Sequence, residues 1–207
     1  LHKEYRRQRQ MCIRDRYGAK YLRWAPFAET EPDADAAAFP KYGDPISLGS
    51  LVKVTDSPSF NEAKAFGDNA LEEHVNEFKE CGVAVEVTEL ANSVASAVLG
   101  AKIESEGGKD LVFSTEDNAP YSGLGFYINK MVKGVKSYHG IYYPKAKAAM
   151  QGTEYATKGD SITLTGGALN FTAAAPANGK WKVESDDFPT EKEAKDWVDK
   201  KIAKASP

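Results

Sequence analysis

The chain has 207 residues, of which 42% are hydrophobic and 11% aromatic, and its 27 basic and 30 acidic residues give a net charge of −3. This composition fits one domain with a hydrophobic core and excludes a wholly disordered chain. No apolar run approaches the roughly 20 residues of a membrane-spanning helix, and the two cysteines, Cys12 and Cys81, fit a reducing compartment rather than a metal cage.

The first sixteen residues, LHKEYRRQRQMCIRDR, differ from the rest in carrying six basic and two acidic residues without strand or helix periodicity. A basic arm for nucleic acid and a targeting peptide are two interpretations. We favour a third, because QMCIRDR resembles the peptide that results when sequencing-adapter DNA is translated in assembled environmental sequence. We therefore expect residues 1–16 to be non-native and disordered, and residues 17–207, with 21 basic and 28 acidic residues, to form the domain.

The first part of this domain predicts short strands separated by turns. Alternating apolar and polar residues indicate strands over 17–27, 46–55 and 60–66, the first ending near Pro26 and the second at Ser57-Pro58. We expect a surface loop over 29–42. The sequence Gly67-Asp68-Asn69 is typical of a turn.

Residues 70–80 fit either a helix or a strand, and we favour strand and loop. Residues 83–87 then alternate so that three valines face one side and Glu86 the other, as in a strand with one buried face. A helix follows over 89–99, capped by Thr88 and ended by Gly100. Its expected apolar stripe is Leu90, Val94, Ala97 and Val98.

The second part is dominated by a central hairpin over 117–146. Gly134 suits its tight turn, and Pro144 predicts an edge or a bulge in its second arm. A smaller hairpin is predicted over 102–114, and short strands over 161–165, 168–172 and 179–184. A final helix begins with a capping box formed by Thr190 and Glu193. Its buried stripe is predicted to be Ala194, Trp197, Val198 and Ile202.

Together these elements predict a mainly β (α+β) fold, namely an antiparallel β-sandwich or barrel with a flanking helix and a C-terminal helix. We find no motif for a phosphate loop, a dinucleotide or a nucleophile elbow, and we expect no enzyme activity and no cofactor. His74 lacks a second histidine and is predicted to lie on a solvated acidic face. His139 is predicted to pack across strands, and Cys81 to be a small strand-edge residue.

Several short sequences, taken in order, resemble a known family. They are Phe66 to Asn69, Val98 to Gly100, Asp117 to Phe126, Tyr138, Pro144-Lys145, Thr157 to Ile162, Gly179 to Trp181 and Glu193 to Trp197. In this order and spacing they resemble the major tail protein family of long-tailed phages with non-contractile tails, the siphoviruses. The N-terminus and the alanine-rich stretch 173–177 depart from that pattern.

The resemblance implies a tail tube subunit, a virion protein made in the host cytoplasm. Such subunits form hexameric rings that stack into a tube through which phage DNA is delivered. The implied partners are further copies of the chain and other tail proteins, such as the tape measure and the tail terminator, with no membrane and no specific DNA binding. An acidic chain suits such a channel, and Glu86 is our candidate for a residue facing the lumen.

Two other classes of function stay open at this point. A carbohydrate-binding or adhesin-like β-sandwich would also carry many tyrosines and no catalytic motif. A small hydrolase using Cys81 or His139 is the enzyme alternative.

Overall fold

The structure is a computed structural model that describes residues 15–28, 38–67, 70–104, 110–132, 134–150 and 166–204. These residues form a mainly β fold with two helices. The strands are β1 Asp15–Pro26, β2 Ile46–Ser47, β3 Leu51–Gly67, β4 Ala70–Val87, β5 Lys102–Ile103, β6 Leu111–Val112, β7 Tyr121–Val132, β8 Val135–Met150, β9 Gly167–Ala173 and β10 Val183–Phe188. The helices are α1 Asn92–Leu99 and α2 Glu191–Lys201.

One antiparallel sheet carries most of the fold, in the order β2-β1-β7-β8-β9-β4-β3. Strand β8 has two different neighbours on the side away from β7. Its first half pairs with β10 and its last five residues pair with β9. Strands β5 and β6 form a separate small hairpin. The mainly β, antiparallel prediction is therefore confirmed.

The central hairpin is β7 and β8, as predicted. Gly134 has a φ of 81°, which glycine adopts at little cost, and Val132 pairs with Val135 beside it. Further along, Leu124 pairs with Tyr143 and Ser122 with Ala146, so two residues, Pro144 and Lys145, oppose Gly123. This is the bulge predicted at Pro144, and it bends β8 where the strand changes partner.

The core lies where the sheet curves back so that β1 and β7 face β4 and β9. Val83, Val85 and Val87 are each 1% exposed, as their alternation predicted. They join a cluster that includes Leu22, Trp24, Leu124, Phe126, Tyr143, Leu169 and Phe171. Helix α1 closes one end of this core with Val98 and Leu99.

Helix α2 packs on the opposite face of the sheet. Its capping box is present as predicted, since Thr190 accepts from the Glu193 N–H and Glu193 accepts from the Thr190 N–H. Val198 and Ile202 are buried against Tyr142 and Tyr42. Trp197 is half-buried rather than fully enclosed.

Several predicted boundaries were wrong. Ser57-Pro58 does not end a strand, since β3 continues to Gly67. Strand β3 pairs with β4 on one side and has no partner on its other side in the described part of the chain. Proline, which has no N–H, is tolerated on such an edge strand. Helix α1 has Ala91 and not Thr88 at its N-cap, so it lacks a side-chain cap. The N–H of Thr88 donates to the Ser50 carbonyl instead, three residues before this N-cap. Ala97 is exposed, and Ala95 takes its place in the buried stripe.

Other differences lie at the ends of elements. Strand β1 begins at Asp15, so the last two residues of the segment interpreted as non-native pair with β7. Tyr42, placed in a surface loop by the sequence, is buried and pairs with Phe27. The strand predicted from residue 179 begins at Val183. Residues 1–14, the turn at 68–69 and the strand predicted over 161–165 lie outside the described residues.

Candidate assembly surface

The most unusual surface is the far half of the β3 and β4 hairpin, which we call the arm and define as residues 59–67 and 70–80. Strand β9 pairs with β4 only from Cys81 to Val87. From Glu80 back to Ala70, β4 pairs only with residues 59–67 of β3, and the described part of the chain places no third strand beside them. The arm therefore extends from the body as a two-stranded ribbon.

Such a ribbon has little to stabilise it within one chain. Two strands alone are marginal in water, and unpaired strand edges offer free N–H and C=O groups to another chain. Phe60 and Val75, on the arm, are 44% and 41% exposed. The described side chains beyond residue 60 are exposed on both strands up to Glu77.

The foot of the arm is held by aromatic stacking. Phe78 stacks on Trp181 with ring centroids 4.4 Å apart, and Phe60 packs edge-on against Phe78 at 6.0 Å. Because Trp181 belongs to the segment leading into β10, the stack joins the arm to the part of the fold that carries α2.

A chain of ion pairs starts beside this stack and runs along β10. The Lys182 Nζ lies 2.8 Å from Asp56 of β3 and 2.9 Å from Glu184. The Glu184 carboxylate lies 3.1 Å from His139 Nε2. The other ring nitrogen, Nδ1, lies 3.0 Å from Asp187.

Lys130 completes this chain, which we call the ionic cluster. Its Nζ lies 2.6 Å from Asp187, and its side chain is only 6% exposed. The six groups are Asp56, Lys130, His139, Lys182, Glu184 and Asp187, and they tie β10 to β3, β7 and β8. Lys130 and His139 are the buried members of the cluster, so removing Asp187, which both of them contact, would leave two buried polar groups without that partner.

The surroundings of Asp56, Glu184, Asp187 and Lys182 shift their pKa values toward the charged forms. Burial alone would raise the pKa of Asp56, but the hydrogen bond and charge of Lys182 lower that pKa below its ordinary value. The same balance holds for Glu184, with Lys182 and His139 lowering its pKa, and for Asp187, where Lys130 and His139 do so. For Lys182 the two effects oppose each other. Burial lowers the pKa of its ammonium group, but the carboxylates of Asp56 and Glu184 raise this pKa by more, so the net shift is upward.

Glu86, the predicted lumen residue, lies on the face of β4 that points away from the core. Lys53 of β3 sits across the strand pair from it, with Nζ 4.0 Å from the Glu86 carboxylate, and both side chains are more than half exposed. Its neighbours on the same face are small, including Thr55, Ala84 and Ala168. The outward orientation of Glu86 is thus as the alternation indicated.

The structure does not bring the other candidate residues together. His74 is exposed on the arm, 3.7 Å from Glu62, as predicted for a solvated position. Cys81 is fully buried between β3 and β9, not at a strand edge, and burial raises the pKa of its thiol, which opposes nucleophilic use. His139 is not a plain packing residue, because carboxylates face both of its nitrogens.

The ionic cluster could not be predicted from the sequence, because its members come from four segments that meet only in the folded sheet and each is an ordinary surface residue type. Within the described ranges, no three His, Cys, Asp or Glu side chains are placed to hold a metal ion. No helix there is long and apolar enough to cross a membrane. The chain matches no protein-family profile, and no curated protein matches it.

Proposed function

We propose that this protein is a structural subunit that assembles with copies of itself, as the major subunit of a phage tail tube. In this function six copies form a ring, the rings stack, and the assembled channel delivers phage DNA. The subunit is made in the bacterial host cytoplasm and is incorporated into the virion, where the tape measure and tail terminator proteins are its further partners.

The observation that supports the proposal best is the arm. A ribbon of two strands with exposed apolar side chains, and with edges that have no partner strand in the described part of the chain, is poorly stabilised in a monomer, whereas it gains strand partners or packing in an assembly. Because the ribbon extends away from the well-packed body, it can contact a neighbouring copy.

The remaining support comes from charge and surface. From residue 17 onward the chain carries a net charge of −7, which disfavours binding to DNA phosphates. The outward face of β4 around Glu86 carries small side chains and a balanced pair of charges, and such a face offers DNA few contacts. We assign this face to the lumen of the tube.

Negative-stain microscopy of the purified protein over a concentration series tests the proposal, and rings or tubes of uniform diameter are the expected result. A variant in which residues 62–76 are replaced by Asn-Gly keeps the Asn61–Glu77 pair and removes most of the arm. It should stay monomeric.

The matched control shortens a different hairpin. Replacing residues 104–110 by Asn-Gly keeps the Ile103–Leu111 pair of β5 and β6 and should leave assembly unchanged. A wild-type protein that remains monomeric at every concentration would reject the tube function, and glycan binding by that monomer would favour the carbohydrate-binding alternative.

A further inference from the structure

A pocket with an aromatic floor and a basic rim lies between α2 and the segment before β2. It has a volume of about 380 Å³. Its aromatic lining consists of Phe39, Tyr42, Tyr142 and Trp197, and its basic lining consists of Lys41, Lys200 and Lys201. Lys180 lies beside it, with Nζ 5.7 Å from the centre of the Phe39 ring.

The four lysines of this rim have no carboxylate partner among the described residues, although nearby Lys204 pairs with Asp44 at 2.8 Å. Lys201 instead lies over two rings, 5.3 Å from the centre of Phe39 and 5.6 Å from that of Trp197. In a chain with an excess of acidic residues, such a group of lysines favours an acidic partner that also presents apolar side chains.

The arm has this chemistry. Its residues, 59–67 and 70–80, include five acidic and two basic residues, a net charge of −3. Phe60 and Val75 add exposed apolar surface beside Glu62 and Glu77.

The position of the pocket decides whether the arm of the same chain can fill it. Trp181 stacks on Phe78 at the foot of the arm, and the next residue back, Lys180, reaches the pocket through Phe39. The pocket therefore lies near the foot of the arm. The nine residues 59–67 extend roughly 30 Å away from the foot at about 3.3 Å per residue. An arm held straight by strand pairing reaches the pocket of another copy and not its own.

We propose that the lysine-rimmed pocket binds the acidic arm of a second copy of this chain. This inference deepens the proposed self-assembly and rests on it. Arm and pocket are different surfaces, so the contact is heterologous and repeats from copy to copy in one direction. Salt weakens it, because both surfaces are exposed and their attraction is screened.

A charge swap tests the contact. The pocket variant carries Lys200→Glu and Lys201→Glu, and the arm variant carries Glu62→Lys and Glu72→Lys, both beyond the foot of the arm. Each alone should need at least a tenfold higher concentration for half-assembly, measured by sedimentation velocity in low salt, a change of about 1.4 kcal/mol. A mixture of the two should assemble again, because each then offers the other a complementary arm and pocket.

The matched control, Lys102→Glu with Lys192→Glu, makes the same change in net charge at exposed lysines outside the pocket and should assemble like the wild type. If the wild type assembles and the pocket variant assembles equally well, this inference is overturned and the proposed function stands. If the pocket variant loses monomer stability while its assembly is unchanged, the result would mean that the lysines pair with the acidic residues 29–35 of the same chain. That result also overturns the proposed contact between arm and pocket. A wild type that stays monomeric overturns both.

Discussion

One of the contacts between α2 and the sheet joins the Trp197 side chain to a glycine. A Cβ atom built on Gly140 of β8 would lie 2.4 Å from Cε3 of Trp197, so the indole fills the space that any other residue would need. Gly140 also donates its N–H to the Ser185 hydroxyl at 2.7 Å, which fixes its backbone.

We therefore expect Gly140→Ala to lower the free energy of unfolding by about 1 to 3 kcal/mol through overpacking. Trp197→Ala alone should cost about 2 kcal/mol, less than the roughly 3 to 5 kcal/mol of a fully buried Trp, because the ring is half-buried. In the double variant the glycine substitution should cost much less, since its steric partner is gone. Urea unfolding of all three measures this coupling.

Gly82→Ala is the control for this cycle. Its added Cβ would meet nothing closer than the Ser57 carbonyl at 3.9 Å, so unfolding should change by less than about 0.5 kcal/mol. Strictly additive costs for Gly140→Ala and Trp197→Ala would contradict the proposed contact.

Glu86 carries the residue-scale prediction for the channel. Glu86→Lys replaces the partner of Lys53 by a second cation, and a ring of such pairs would attract DNA phosphates. Assemblies of this variant should co-sediment with short DNA at low salt and release it as salt rises, whereas wild-type assemblies should not. Glu116→Lys, an equal charge change in an exposed turn, is the control. If the Glu86→Lys and wild-type assemblies both bind negligible DNA, the assignment of Glu86 to the lumen is wrong.

Among the elements, β10 is the one whose attachment depends most on charge. It is only six residues long, and its partners in the ionic cluster come from β3, β7 and β8. The carboxyls of Asp56, Glu184 and Asp187 have lower pKa values in the folded chain than their ordinary values of 3.8, 4.5 and 3.8. They therefore stabilise the fold above those ordinary values and lose this contribution as the pH falls through the folded pKa values.

Thermal stability should accordingly decline as the pH is lowered from about 5 to about 3. Lys182→Met removes the cation that lowers two of these pKa values, so it should be less stable than the wild type at pH 7 and show a weaker decline with acid. Lys53→Met, which removes an exposed pair at 4.0 Å, should leave the pH dependence as it is. A wild type with the same unfolding midpoint at pH 5 and pH 3 would argue against the cluster.

The elements predicted well from sequence are those whose signal is local. The β7–β8 hairpin has its glycine turn and alternation within thirty residues, and α2 has its capping box beside its apolar stripe. The errors have long-range causes. Pro58 is tolerated because β3 lies at an edge, and Thr88 is held by Ser50, both facts of the folded sheet. The ionic cluster escaped prediction for the same reason.

At the scale of the whole molecule, the body and the arm differ in how much packing they receive from the described part of the chain. The body encloses a core, whereas the arm joins that core at its foot through Phe78, and its described side chains from residue 61 to 64 and from 74 to 77 are exposed. The body also includes Asp15 and Arg16, which pair with Met131 and Lys130 at the end of the β1–β7 ladder.

Removing residues 1–14 should leave the unfolding midpoint within about 2 °C of the full chain, because their sequence shows no strand or helix periodicity. Removing residues 1–16 also takes two residues from the ladder and should lower the midpoint by about 2 to 4 °C, equivalent to about 1 kcal/mol in a domain of this size. Differential scanning calorimetry of both truncations measures the difference. A large loss from the shorter truncation would show that residues 1–14 belong to the folded domain.

The division of β8 between two neighbours has a consequence for how the amide protons of the chain exchange with solvent. Because β7 flanks it on one side and β10 and then β9 on the other, most of β8 is released only when the whole sheet opens, and its amides should be the slowest to exchange. The outward amides of the arm lack a described acceptor and should exchange within seconds in the free subunit. In an assembly that uses the arm, these arm amides should exchange more slowly, while the amides of β8 should keep their exchange rate. Deuterium uptake at the arm therefore reports on association of the copies, and deuterium uptake at β8 reports on the stability of each copy.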